Sequence, residues 1–146
     1  MMYVKIKRLT ATAIIPTKGT QRSGGYDLYA DTNIDVIIPP GQTVSLFTGI
    51  ALEIPSGYAG FVYSRSGAAV KRGLCIATGV SVIDADYRGN IGIPIRNESN
   101  ETQVISPHER IAQIVFHPVA DVKFNEVDGD LSQTDRGTGG FGSTGK

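Results

Sequence analysis

Apolar and polar residues alternate from Tyr3 to Arg8, with Val4 and Ile6 set against Lys5 and Lys7. A period of two puts these pairs on opposite faces of a half-buried strand. Runs rich in β-formers follow at Ile34–Ile38, Thr43–Ile54, Tyr58–Tyr63, Leu74–Ile83, Ile91–Arg96, Thr102–Ile105 and Ile111–Phe116. Turn residues separate them: Pro39-Pro40-Gly41, Pro55-Ser56-Gly57, Arg88-Gly89-Asn90, Asn97-Glu98-Ser99-Asn100 and Ser106-Pro107. Many short strands with Gly/Pro turns predict an all-β fold: a sandwich, barrel or jelly roll. Ser66 to Lys71 reads as a helical turn, with Ser64 or Ser66 as its cap. No long amphipathic helix and no internal repeat is visible. Past Phe124 the apolar pattern thins. Residues 1–124 therefore read as one β domain, and 125–146 as a linker and arm.

Bulk properties narrow the partners. At 146 residues the chain is one domain by length, large enough to bury roughly 70% of its unfolded surface without disulfides. Fourteen Lys+Arg balance fourteen Asp+Glu, so no global field draws in nucleic acid or a membrane surface. Anion binding must come from local arrangement. The single Cys75, between Leu74 and Ile76, reads as a small buried hydrophobe. With no long apolar run and no apolar leader, the expected location is the cytoplasm.

Three internal segments stand apart. Ser64-Arg65-Ser66-Gly67 combines hydroxyls, a guanidinium and a helix start, a reasonable anion site. Val82-Ile83-Asp84-Ala85-Asp86-Tyr87-Arg88-Gly89 sets two carboxylates two residues apart, on one face if extended, and a carboxylate at a strand end is a candidate general base. Gly24-Gly25-Tyr26-Asp27-Leu28 places a third acid beside flexible backbone. Each has a plain reading: Asp84 and Asp86 as turn caps, Arg65 as a surface ion pair, Asp27 as a buried hydrogen-bond acceptor. His108 and His117 have no nucleophile near them in sequence, which argues against a triad. Carboxylates without a His/Cys cluster argue against zinc and suit Mg²⁺ held through phosphates.

Arg136 to Lys146, RGTGGFGSTGK, is too rich in Gly, Ser and Thr to fold by burial. Its glycines let backbone N–H groups approach an anion, Ser143 and Thr144 add hydroxyls, Arg136 suits phosphate, and Phe141 offers a stacking face. It reads either as a flap over a nucleotide or as a flexible terminus.

Taken in order, these segments resemble the five motifs of the trimeric dUTPase family. They are Gly25-Tyr26-Asp27-Leu28-Tyr29-Ala30, Ser64-Arg65-Ser66-Gly67, the segment Val82 to Gly89, Glu109-Arg110-Ile111-Ala112-Gln113-Ile114, and the Gly-rich tail. The resemblance implies a jelly-roll subunit in a homotrimer with shared active sites. Motifs one, two and four would come from one subunit, motif three from a second and the tail from a third. The implied reaction is Mg²⁺-assisted hydrolysis of dUTP to dUMP and pyrophosphate. Asp84 would activate the attacking water, and Tyr87 would pack under the sugar. The hairpin through Thr78, Val80, Ser81, Val82 and Ile83 would read uracil with its backbone. Ser66 would stabilise the leaving oxygen, with Arg65 and Gly67 on the phosphates. Gln113 would hold water and phosphate, and Asp27 would lie near the hydrated Mg²⁺. In the tail, Phe141 would stack on uracil while Arg136, Gly142, Ser143 and Thr144 bind the phosphate end.

The match has departures. The family usually has Pro where Ser64 stands, Leu at Ala68, Asn at Thr78, Gly at Ser81, and Gly-Asp at His108-Glu109. A side chain at Ser81 bears most directly on base selectivity. Other readings are a dCTP deaminase on the same fold, a nucleotide-sensing binding module, and a purely structural β-domain.

Overall fold

The computed structural model describes residues 2–140. Within them the chain forms eleven strands and one short helix. The strands are β1 (Lys5–Arg8), β2 (Tyr26–Tyr29), β3 (Val36–Ile38), β4 (Thr43–Phe47), β5 (Ile50–Glu53) and β6 (Tyr58–Tyr63), then β7 (Leu74–Ile76), β8 (Val80–Ile83), β9 (Gly92–Asn97), β10 (Gln103–Ile105) and β11 (Arg110–Pro118). The helix α1 spans Ser66–Arg72. Every strand pairing is antiparallel, and the expected all-β architecture is the observed one. A four-stranded sheet runs β2-β11-β6-β8, a three-stranded sheet β4-β9-β7, and two ribbons pair β1 with β5 and β3 with β10.

Alternation decides which side chains enter the core. In β9, Ile93, Ile95 and Asn97 are buried while Gly92, Pro94 and Arg96 are only half-buried. Leu28, Ile38, Leu46, Ile50, Val62, Ile105 and Ile114 complete one apolar cluster with them. Asn97 is the polar exception, and its amide is fully used. It donates to the carbonyls of Ile38 at 2.8 Å and Glu101 at 2.7 Å, and accepts from the Ser99 N–H and hydroxyl. This holds the predicted 97–100 turn against β3.

Several expectations change. The run Thr43–Ile54 is two strands, not one. It breaks at Thr48-Gly49, where Gly49 takes φ +68° and a Cβ would lie 2.4 Å from Asp31. The run Leu74–Ile83 likewise splits at a tight turn closed by the Gly79 N–H on the Ile76 carbonyl, 2.9 Å. Tyr26–Tyr29 is a strand that flanking glycines hid. Neither Ser64 nor Ser66 caps α1: Arg65 is the extended N-cap residue, and no side chain caps the helix. Cys75 is half-buried rather than buried, because β7 is an edge strand. At β1, Ile6 is 37% exposed, so that strand covers the core less than its alternation suggests. Lys5 Nζ donates to Glu53 at 2.8 Å and holds that carboxyl below the ordinary glutamate value.

The last strand ends at Pro118, and residues 119–140 contain no helix or strand and are almost wholly exposed. No helix among the described residues is long and apolar enough to cross a membrane.

Candidate functional site

The ladder of the four-stranded sheet brings three separated motifs together. β11 pairs with β2, setting Gln113 beside Asp27, and with β6, setting Gln113 beside Tyr63 at the mouth of the Ser64–Gly67 segment. Arg110 and Gln113 are three residues apart, a spacing that would send them to opposite faces of a regular strand. A register shift between Arg110 and Ala112 absorbs one residue, and both side chains then line the same cleft. Bulges re-aim side chains in this way. In the sequence Arg110 is only a member of the fourth motif with no role of its own; the bulge that brings it into the cleft leaves no pattern in the residues.

The cleft has a volume of about 190 Å³ and is lined by Gly19, Ser23, Gly25, Asp27, Arg65, Ser66, Gly67, Arg110 and Gln113. Asp27 is its hub. Arg65 Nε donates to Asp27 Oδ1 at 2.9 Å, and Arg110 Nη1 donates to Oδ2 at 3.1 Å. The Asp27 side chain is 12% exposed, against 27% and 49% for the two arginines. Both plain readings are thus realised: Asp27 is a buried acceptor and Arg65 is ion-paired. Two guanidiniums against one carboxylate leave one net positive charge in the cleft, which suits an anion. Arg65 Nη1 also donates to the Arg110 carbonyl at 3.3 Å, tying the two motifs directly.

Gln113 is oriented rather than merely present. Its Nε2 donates to the Ser64 carbonyl at 3.2 Å. Its Oε1 fills the space over Gly25, where a Cβ would sit 2.6 Å away. Gly25 therefore serves close approach. Ser64 makes a second contact through its Oγ, which accepts the Ile76 N–H at 2.8 Å. A proline at that position has no such acceptor. On the far side of α1, Arg72 donates to Gln103 Oε1 at 3.1 Å, to Glu109 and to the Val104 carbonyl, bracing the helix against β10 and β11. At the Pro107 turn, His108 occupies the left-handed region at φ +61°. The backbone there keeps a shape that favours glycine, which fits the family's usual Gly.

Motif three lies elsewhere. Asp84 follows β8 and starts a turn closed by the Tyr87 N–H on the Asp84 carbonyl, 3.2 Å. Asp84 and Asp86 are exposed in this turn, so the condition of an extended backbone that would put them on one face is not met. Tyr87 is 43% exposed, and its hydroxyl donates to the Asn90 carbonyl at 2.9 Å. Its ring fills the space beside Gly89, where a Cβ would lie 2.4 Å from the phenol oxygen. Arg88 pins the turn from within by donating to the carbonyls of Ala85 at 2.6 Å and Tyr87 at 3.0 Å. Neither Asp84 nor Tyr87 lines the cleft. In the hairpin, Val80 and Val82 are exposed, Ile83 is buried, and Thr78 Oγ1 and Ser81 Oγ are 2.8 Å apart. Arg136 lies in a turn, its Nε donating to the Gly139 carbonyl at 3.1 Å. Phe141, Gly142, Ser143 and Thr144 fall outside the described residues.

The magnesium that the resemblance implies can be tested against these donors. Asp27 is the one carboxylate lining the cleft among the described residues. No cluster of three His, Cys, Asp or Glu that could hold a metal occurs among them either. Each Asp27 oxygen accepts one guanidinium N–H and keeps lone-pair capacity for a further donor such as a metal-bound water. This set fits a hydrated Mg²⁺ carried by substrate phosphates, and does not fit an all-protein cage.

Comparison with known proteins identifies the lineage. The dUTPase family model matches residues 11–145. A deoxyuridine 5'-triphosphate nucleotidohydrolase of Nautilia profundicola is 46% identical over 145 residues, covering 99% of this chain and 100% of its own. That of Syntrophotalea carbinolica is 44% identical, covering 97% and 96%. Among solved structures, a Staphylococcus bacteriophage 80alpha dUTPase with dUPNHPP superposes with a TM-score of 0.85 at 29% identity over 99% of both chains. A mutant dUTPase from phage phi11 of S. aureus, described as coordinating a structural Mg(II) ion, superposes at 0.80 with 26% identity over 89% of this chain and 99% of its own. Matched along nearly its whole length, with the residues of three motifs converging in one cleft, the chain belongs to the dUTPase family.

Proposed function

We propose that this protein hydrolyses dUTP to dUMP and pyrophosphate as a cytoplasmic homotrimer with shared active sites. The observation that carries this reading is the convergence of Asp27, Arg65, Ser66, Gly67, Arg110 and Gln113 in one cleft with a net positive charge. Phosphoanhydride hydrolysis needs charge neutralisation on the phosphates, an in-line water and exclusion of bulk solvent. The cleft supplies the first. Asp84, exposed on its turn, is free to face the cleft of a second subunit and supply the second. The arm of a third, residues 125–146 following the 1–124 domain, supplies the last.

In this reading Asp84 takes a proton from water as the water oxygen attacks the α-phosphorus. The bond from that phosphorus to the bridging oxygen breaks, and the oxygen leaves on pyrophosphate. Ser66 donates to the leaving oxygen. Arg65 and the Gly67 N–H hold the phosphates. Gln113, oriented by the Ser64 carbonyl, holds the water and a phosphate oxygen. Mg²⁺, when bound, neutralises phosphate charge. Asp27, while holding both guanidiniums, would offer its remaining lone pairs to the hydration water of that ion. The Thr78–Ile83 hairpin reads uracil, and Tyr87 packs under the sugar. Phe141 stacks on the base, with Arg136, Gly142, Ser143 and Thr144 on the terminal phosphate.

Pyrophosphate release with Mg²⁺ on dUTP, dTTP, dCTP and UTP tests this directly. Rapid turnover of dUTP alone is expected. Comparable rates on dTTP or UTP would end the specificity assignment, and no release from dUTP would end the enzyme assignment. Ammonia release from dCTP would point to the deaminase reading instead.

A further inference from the structure

We propose that Thr78 and Ser81 act as one coupled unit that sets which pyrimidine the hairpin admits, an inference that rests on the hairpin reading the base. These are the two hairpin positions at which the chain departs from the family's usual Asn and Gly. Their side-chain oxygens are 2.8 Å apart, within hydrogen-bond reach, with either able to donate. The two departures are therefore partners.

The chemistry gives the pairing a purpose. At position 81 glycine leaves space, and a serine there adds a hydroxyl with one donor and two acceptor lone pairs. The backbone cannot move aside to accommodate it. Ser81 is paired with Val62 in the β6–β8 ladder, and neighbouring Val80 with Tyr63. The root of the hairpin is also fixed, because the Ser64 hydroxyl accepts the Ile76 N–H at 2.8 Å. The turn itself is closed by the Gly79 N–H on the Ile76 carbonyl. On a backbone held this firmly, an unpaired hydroxyl would compete for the base. Bonded to Thr78, whichever of the two donates, the Ser81 hydroxyl is held in place on the hairpin. The bond consumes one of the two hydroxyl protons, so the pair retains a single O–H donor. The pair also retains three lone pairs, so it can meet either the C4 carbonyl of uracil or the C4 amino group of cytosine, and it selects by fixing where these groups sit and not by their number.

Removing either hydroxyl releases the other, so single changes should do more harm than the double change. A double-mutant cycle of Thr78→Val and Ser81→Gly tests this. The readouts are kcat/KM for dUTP, dCTP and dTTP, with calorimetric affinities for dUMP, dCMP and dTMP as a measure independent of turnover. Each single variant is expected to lose about fivefold in preference for uracil, mostly through KM, and the double variant to regain it. Thr78→Val removes only the hydroxyl while keeping the shape, and Thr78→Asn, which keeps a donor and an acceptor for Ser81, is expected to lose less; thermal melts confirm that each variant is folded. Losses that simply add in the double variant would overturn the coupling while leaving the hairpin as the base reader. Selectivity unchanged in all variants, with dUTP turnover intact, would overturn the role of the hydroxyl pair and leave base reading to the hairpin's backbone.

Discussion

In the cleft, Asp27, Arg65 and Arg110 come from three distant segments and are joined by bonds of 2.9 and 3.1 Å. At the motif-three turn, Asp84, Asp86 and Tyr87 are all exposed, and Arg88 holds the turn through backbone carbonyls. The first region is finished within one chain: its carboxylate is buried, its amide is oriented, and its glycine admits close contact. The second is shaped but left facing outward. The contrast has a physical origin. The cleft is built around β11, a central strand of a four-stranded sheet that is paired on both sides, with β2 and its Asp27 on one flank and the end of β6 on the other. The turn follows β8, an edge strand of that sheet, beside which no further strand pairs among the described residues. A polar group that must meet substrate phosphates can be prebuilt by a ladder. One that must meet the substrate from the opposite side has to be presented.

If the two regions divide the labour as proposed, Asp84→Asn removes the base and leaves the cleft intact. The expected result is a kcat lower by about 10²–10⁴-fold with KM for dUTP little changed and an unaltered melting temperature. Turnover that survives nearly unchanged would remove Asp84 from the mechanism. Asp27→Asn attacks the other region. It leaves two guanidiniums without their shared anion, and because both arginines are partly exposed the cost is about 1–2 kcal/mol of stability. Steady-state kinetics should show KM rising roughly tenfold as Arg65 loses its aim. An unchanged KM would mean that Arg65 holds its position without Asp27.

The smallest expected effect tests the join between the regions. Ser64 links the cleft to the hairpin that leads into the turn, through its carbonyl on Gln113 and its hydroxyl on Ile76 at the hairpin root. Ser64→Ala removes only the hydroxyl bond, worth about 0.5–1.5 kcal/mol. A melting temperature lower by a few degrees, about 2–4 °C per kcal/mol, is expected. The Gln113 contact should persist because it uses the backbone, so kcat should fall less than for Asp84→Asn. A kcat loss as large as that of Asp84→Asn would show that the regions are not separable.

Much of this was legible beforehand. Tyr58–Tyr63 has the same bounds in sequence and structure, because a half-buried strand between two turn signals leaves little freedom. Five residues that the motifs single out, Asp27, Arg65, Ser66, Gly67 and Gln113, line one cleft, whereas Asp84 and Tyr87 do not. What failed was local and has local causes. Two long runs hid turns at Gly49 and Gly79 because apolar residues continue through them. Tyr26–Tyr29 hid a strand because its glycines resemble a loop. The helix cap was assigned to serines whose competing partners, Ile76 in the case of Ser64, lie far along the chain.

By itself, the sequence determined the alternation that makes an all-β core, the turn residues that divide it, and the kinds of side chain available for phosphate chemistry. Those follow from local sterics and burial, which neighbouring residues dictate. Only the tertiary structure decided that Arg110 shares a face with Gln113, that one carboxylate serves two guanidiniums, and that Thr78 and Ser81 answer each other. Each depends on strand register or on a contact between distant or turned segments, and a bulge of one residue can reverse a face without leaving any trace in composition or periodicity.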